Sequence, residues 1–198
     1  MTTSETVAFT RMAEGTREEY QLLDRLYKKL DRELVGNVLD LLNRLGGDAL
    51  GYKIDRYQHS LQTATRALRD GADEETVVVA LLHDIGDTFA PHNHSDLGAA
   101  VLQPYISADN HWLVQHHGIF QGYYYFHHCG GDRFAREQFR GHPMFERTAQ
   151  FCDRWDQNSF DPDYDTLPID AFLPALHRIF ARPPFGASNG VAANGVGA

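Results

Sequence analysis

Cysteine is nearly absent: Cys129 and Cys152 are the two present, and neither lies in a CxxC pair. A disulfide framework is thereby excluded, and a reducing compartment is the default expectation. Long apolar runs are also lacking, since none approaches the roughly 18 residues that a membrane helix requires. The N-terminal MTTSETVAFTRMAEG has neither the basic start nor the apolar core of a signal peptide. A soluble, cytoplasmic protein with no membrane partner is expected. Positive charge is scarce, with 18 Lys and Arg against 27 Asp and Glu and a formal net charge of −9. That balance speaks against a sequence-independent grip on nucleic acid, which needs clustered cations to displace counterions from phosphates. Segments of alternating apolar and polar residues are missing, and no internal repeat is visible. The chain therefore reads as nearly all-α.

At 198 residues the sequence fits one domain with a real core. Residues 16–34 place Tyr20, Leu23, Leu26, Tyr27, Leu30 and Leu34 at three- and four-residue steps, which predicts an amphipathic helix facing inward. Thr16 and Glu19 form a plausible capping box for it. After Gly36 a second helical pattern, VLDLLNRL, runs to a stop at Gly46 and Gly47. A third helix is expected over 55–69 with Leu61, Ala64 and Leu68 inward. GADEETVVVALLHD follows, with Asp73 as N-cap and acidic residues in the first turn. VVVALL taken alone also reads as a buried strand, but the acidic cap favours a helix. Shorter helical patterns continue to IDAFLPALHRIFAR, interrupted by the polar loop FDPDYDTLP at 160–168. The expected organisation is a flexible 1–15, a helical domain over 16–185, and a disordered tail over 186–198, whose GASNGVAANGVGA has nothing to pack.

Histidine is the abundant residue: eleven are present, and all but His177 lie between His59 and His142. Taken singly, each has a structural explanation. His59 fits a hydrogen-bonded core position, Asp84 a helix end, His94 the neighbour of an N-cap, and Asp156 a cap for the following turn. Their order is harder to dismiss. His59 in YQHSLQTA, His83 and Asp84 in ALLHDIGD, a histidine before SDLGAA, one in QHHGIF, and Asp156 in RWD supply imidazoles and carboxylates on rigid elements. First-row metals favour this mixed N/O donor set.

These segments resemble the HD-domain superfamily. QHSLQTA, ALLHDIGD, HSDLGAA, HHGIFQGYYYF and RWD resemble more specifically its mixed-valent di-iron oxygenases, over roughly residues 50–160. The resemblance implies an all-α helical bundle with a dinuclear metal site in its core. It implies that His59, His83, Asp84 and Asp156 bind one iron and that Asp84 bridges to a second iron on His94 and His117. It selects His117 over His116 and His94 over His92, leaving His127, His128 and His142 as surface or packing residues. The implied cofactors are two iron ions, as Fe2+ and Fe3+, with manganese or another divalent metal accepted by the same ligands. The implied partners are O2 and a small molecule.

The sequence also departs from these relatives. Asp87 stands where they often carry a lysine or histidine near substrate, and Gln121 and Asp153 stand where phosphonate oxygenases place cations. Unpaired carboxylates beside a phosphonate cost several kcal/mol, so the substrate expected is a hydroxylated small molecule, a polyol or one bearing an amine. Alternatively Asp87 and Asp153 are exposed or paired with Arg154, Lys53 or Arg56. Tyr52 either approaches the metal or only packs. The aromatic run FQGYYYFHH either packs the core or walls the substrate pocket, with Gln121 reaching in, and Arg133, Arg136 and Arg140 read as a solvated face.

Three functions follow from these readings. The first is an oxygenase acting on such a substrate. The second is a metal-dependent phosphohydrolase acting on a phosphate ester or nucleotide, for which Lys53, Arg56, Arg133 and Arg154 offer charge but no basic cluster follows the HD pair. The third, a metal-binding module without catalysis, is disfavoured by a six-ligand set, because structural sites are normally closed and mononuclear.

Overall fold

A computed structural model describes residues 5–186, and among these there are helices and no strand. The tail expected over 186–198 lies, from residue 187 on, outside the described residues. Ahead of the first helix, Ala8 donates its backbone N–H to Glu19 at 2.7 Å, and the Phe9 ring lies 5.5 Å from Tyr20.

Helix α1 spans Arg17–Asn43 and starts on the capping box, with Thr16 accepting from the Glu19 N–H and the Glu19 carboxylate accepting from the Thr16 N–H. The two helices expected on either side of Gly36 are one. Gly36 in a helix interior costs about 1 kcal/mol against alanine. Burial of Val38 and Leu42 just beyond it outweighs that cost. The inward stripe expected over 16–34 is only partly covered. Leu26, Tyr27 and Leu30 are exposed, so the middle of α1 stands clear of the core. Helix periodicity names a face, and tertiary packing decides whether anything meets it.

Helix α2 (Arg56–Arg69) is capped by Asp55, which accepts from the Gln58 N–H at 2.8 Å and from the Gly47 N–H at 2.9 Å. One carboxylate thus sets the start of α2 against the turn that ends α1. Leu61 and Ala64 are buried as expected, whereas Leu68, one residue from the helix end, faces out. Helix α3 (Glu74–Leu82) begins on Asp73, whose carboxylate accepts from the Thr76 N–H and hydroxyl. Every residue from Thr76 to Leu82 is buried, so α3 is the central rod of the bundle. An all-round apolar helix has to be enclosed by others. Helices α2, α5 and α7 do this.

Helices α4 (His94–Leu102) and α5 (Ala108–Tyr125) pack against each other, and α6 (Phe145–Phe151) continues into one π-helical turn, Cys152–Asp156. The stretch expected to be helical around DRFAREQFRG forms only a short 3-10 turn, Ala135–Phe139. Of its arginines, Arg140 takes the expected solvated place, exposed and paired with Glu137 at 2.7 Å and Glu146 at 3.0 Å, whereas Arg133 and Arg136 are half-buried and stack on Tyr123 at 4.3 and 3.9 Å. Helix α7 (Leu173–Phe180) closes the bundle. No helix among the described residues is long and apolar enough to cross a membrane.

Candidate metal centre

Five elements converge on one buried point. His59 lies in the second turn of α2, and His83 and Asp84 directly follow the last residue of α3. His94 opens α4, His117 sits within α5, and Asp156 ends the π-helical turn after α6. That turn adds a residue to the helical repeat and rotates the chain end, a feature frequent where a functional side chain is re-aimed.

Close backbone approach makes the convergence possible. A Cβ on Gly86 would stand 2.4 Å from the His94 carbonyl oxygen, and one on Gly98 would stand 2.8 Å from that of His83. Glycine at these two positions lets α4 lie directly against the HD turn.

Asp84 is the hub. Its Oδ2 lies 3.4 Å from His59 Nε2 and 3.4 Å from His83 Nε2, while its Oδ1 lies 3.1 Å from His117 Nε2 and 3.4 Å from His94 Nε2. One carboxylate therefore stands between two imidazole pairs. Asp156 joins the first pair, with Oδ1 at 3.2 Å from His59 and 3.7 Å from His83. Three of the imidazoles are held through Nδ1 by main-chain carbonyls: His59 by Ser159 at 2.9 Å, His83 by Ala80 at 2.9 Å, His117 by Val114 at 2.7 Å. With Nδ1 turned to these carbonyls, Nε2 is the nitrogen that points inward, carrying a proton towards the carboxylates or giving it up to a metal.

The electrostatics follow from burial and proximity. Burial alone pushes the Asp84 carboxyl up, but His83, His117, His59 and Arg56 more than reverse this and hold it well below the usual carboxylate range. Asp156 is lowered in the same way by His59 and His83. Burial lowers His59, yet its bonds to Asp156 and Asp84 prevail and raise it to about 9. His117 is raised against its burial by Asp84.

Three residue groups have ligand atoms close enough to share an ion: His59, His83 and Asp156; His83, Asp84 and His117; and Asp84, Asp87 and His94. Asp156 Oδ2 is buried and has no hydrogen-bond partner. A buried carboxylate oxygen left bare is costly, and a cation would satisfy it. The donor set of four imidazoles and two carboxylates suits a first-row divalent metal.

A cavity of about 280 Å³ opens beside this cluster, lined by Asp84, His94, His117, Asp156, Gln121, Tyr52, Tyr124, Tyr125 and Phe160 among others. Gln121 donates to Asp156 at 3.3 Å, and its Oε1 is buried without a partner. Tyr52 is half exposed and stacks on Phe160 at 4.7 Å, which in turn stacks on His59 at 4.4 Å. Asp153 is not among the lining residues; it accepts from the Tyr124 hydroxyl at 3.0 Å. Asp87 meets Arg56 Nε at 2.9 Å and His94 Nδ1 at 3.2 Å. His116 points away and stacks on Trp112 at 4.0 Å, with His142 on the other face at 4.1 Å.

Sequence reasoning missed Phe160 and Ser159, and the place of Arg56 beside them. Phe160 and Ser159 lie in or beside a stretch read only as a polar loop. Arg56 is expected from the sequence as a partner for a carboxylate or a cation for a phosphoryl group, with no place given to it; its guanidinium lies over Tyr52 and Phe160 and lines the cavity. The available signal was its place three residues before His59, on the same helical face.

A protein-family model described as HD domain matches residues 56–157, a span that contains all six converging residues. A curated relative from Leisingera caerulea, named [1-hydroxy-2-(trimethylamino)ethyl]phosphonate dioxygenase (glycine-betaine-forming), is 29% identical over 137 residues, covering 60% of this chain and 69% of that protein.

Proposed function

This chain belongs to the HD-domain family, and on that premise we propose that it is a dinuclear metal oxygenase oxidising a small hydroxylated molecule with O2. One observation carries the reading: a single buried carboxylate, Asp84, turns one oxygen to His59 and His83 and the other to His94 and His117. A mononuclear site has no use for two imidazole pairs on opposite sides of one carboxylate. His59, His83, Asp156 and Asp84 Oδ2 would hold one metal, and His94, His117 and Asp84 Oδ1 the other. Iron is the metal we propose, since it supplies the redox chemistry with O2 that no side chain here provides.

The chain's own residues would bind, orient and shield the substrate. Tyr52, Tyr124, Tyr125 and Phe160 form an aromatic wall, suited to excluding water and to receiving an ammonium group. Arg56 is the cation facing the cavity and fits an anionic substituent. Gln121, with one amide oxygen unpaired, offers an acceptor for a substrate hydroxyl. The relative's name describes a substrate with hydroxyl, trimethylammonium and phosphonate groups. The premise that set aside a phosphonate here has gone, because neither Asp87 nor Asp153 is on the cavity wall. We therefore place a hydroxylated, ammonium-bearing anion first among candidate substrates.

The test is purification without oxygen, metal analysis, and spin resonance for a coupled mixed-valent pair. It is followed by O2 uptake with the relative's named substrate and hydrolysis of p-nitrophenyl phosphate. Two irons per chain with substrate-dependent O2 uptake is the expected result. Phosphate ester hydrolysis without O2 uptake would establish the phosphohydrolase instead.

A further inference from the structure

We propose that Asp87 is a positioning residue for His94, through which this chain reinforces its second metal position. The proposal rests on the two-metal reading above and concerns how unequal the two positions are.

His94 is the least secured of the four inward histidines. Its side chain is 23% exposed, against 0–3% for the other three. It is the first residue of a nine-residue helix whose N-cap, Asn93, makes no side-chain capping bond. No main-chain carbonyl holds its ring. The Nδ1 that in His59, His83 and His117 donates to a carbonyl faces, in His94, the Asp87 carboxylate at 3.2 Å.

Asp87 is itself fixed from two sides. Its backbone N–H donates to the Asp84 carbonyl at 2.9 Å, which ties it to the HD turn. Its second carboxylate oxygen forms an ion pair with Arg56, whose Nε lies 2.9 Å away. Arg56, Asp87 and His94 thus form a relay that ends at the metal-facing Nε2. A carboxylate accepting Nδ1–H locks the tautomer, sets the ring's rotation and makes Nε2 a stronger donor than a neutral carbonyl does. With one oxygen facing His94 Nδ1 and the other paired with Arg56, Asp87 is directed at a ligand rather than at substrate.

The proposal is tested on the metal-stripped full chain by competition titration with a chromophoric chelator, using Mn2+ alone as probe, for the wild type, Asp87→Asn and Asp87→Ala. Wild type is expected to bind two ions. Asp87→Ala should weaken the second ion about 10–100-fold, the usual effect of losing such an outer partner, and leave the first within about threefold. Asp87→Asn keeps an acceptor for Nδ1–H while losing the charge, so it should restore part of the affinity. The unchanged first position serves as the control for folding. An unaltered second affinity in Asp87→Ala overturns the proposal and leaves the two-metal reading standing. Asn as weak as Ala also overturns it, because Asp87 would then act as a direct ligand or by charge alone. A wild type that takes up fewer than two ions removes the two-metal reading itself.

Discussion

Raising the pH should drive the metal-free and metal-loaded proteins in opposite directions, and His59 sets the size of the effect. Its Nε2 lies 3.2 Å from Asp156 and 3.4 Å from Asp84, and these carboxylates raise it, against burial, to about 9. The ordinary value is about 6.5. A group whose folded value exceeds its unfolded one stabilises fully below about 6.5, and that contribution disappears as the pH climbs through about 9. Its size is on the order of 3 kcal/mol. For a chain of this length that corresponds to a fall of roughly 6–12 °C in the Tm of the metal-free protein. The same proton sits on the nitrogen that a metal must take. Apparent affinity at the position containing His59 should therefore rise about tenfold per pH unit from 6.5 to 9. Asp84 and Asp156 are lowered, so their contributions are present above the ordinary carboxylate value and stay constant across this window. Competition titrations with Mn2+ at pH 6.5, 7.5 and 8.5, beside calorimetric melts of the stripped protein, measure both arms. An affinity that changes less than threefold across the series, or a flat metal-free Tm, refutes the reasoning.

Other perturbations test separate parts of the structure. Asp84→Asn removes the carboxylate shared by both imidazole pairs, and metal analysis should find neither ion retained and no O2 uptake. Gly86→Ala puts a Cβ against the His94 carbonyl oxygen, where backbone must give way, so urea unfolding should show a loss of about 1–3 kcal/mol. Glu75 accepts from the Ser107 N–H at 2.7 Å and from Asn110 at 2.8 Å and pairs with Arg182; burial opposes these bonds, which hold its carboxyl down to about 2. Its stabilisation is present above its ordinary value and is lost as pH falls towards 2. Glu75→Gln should therefore cost about 2 kcal/mol at pH 7 after allowance for solvent screening. That difference should narrow steadily below pH 4.5 in paired denaturation curves, and a constant gap would contradict the assignment.

Some of this was legible in the sequence because it depends on local chemistry. Thr16 with Glu19, Asp55, and Asp73 are helix starts that a capped N–H explains without reference to the rest of the chain. The order of histidines and aspartates was legible for a related reason: each stands in a short motif that is read without knowing the element it sits on, although VVVALL also reads as a strand and the π-helical turn under Asp156 has no sequence signal. Facing was not legible. His116 and His117 are neighbours about 100° apart around α5, and only the packing of Trp112 between His116 and His142 shows which ring turns away. Gly36 failed as a helix stop because its cost is local while the burial that overrides it comes from α7 and the rest of the core. Pairing was the least legible property of all. The acid at position 87 invites a substrate argument when its charge is counted alone, and its partner Arg56 lies 31 positions earlier, on another helix. An acid that is matched across the fold and lies off the cavity wall does not stand as an unpaired charge beside a ligand. The metal-ligand pattern does not depend on such matching, because a metal requires only that the nitrogens and oxygens converge. That difference explains why the histidines and aspartates named from the sequence converge in the structure while the substrate preference drawn from Asp87 and Asp153 loses its premise.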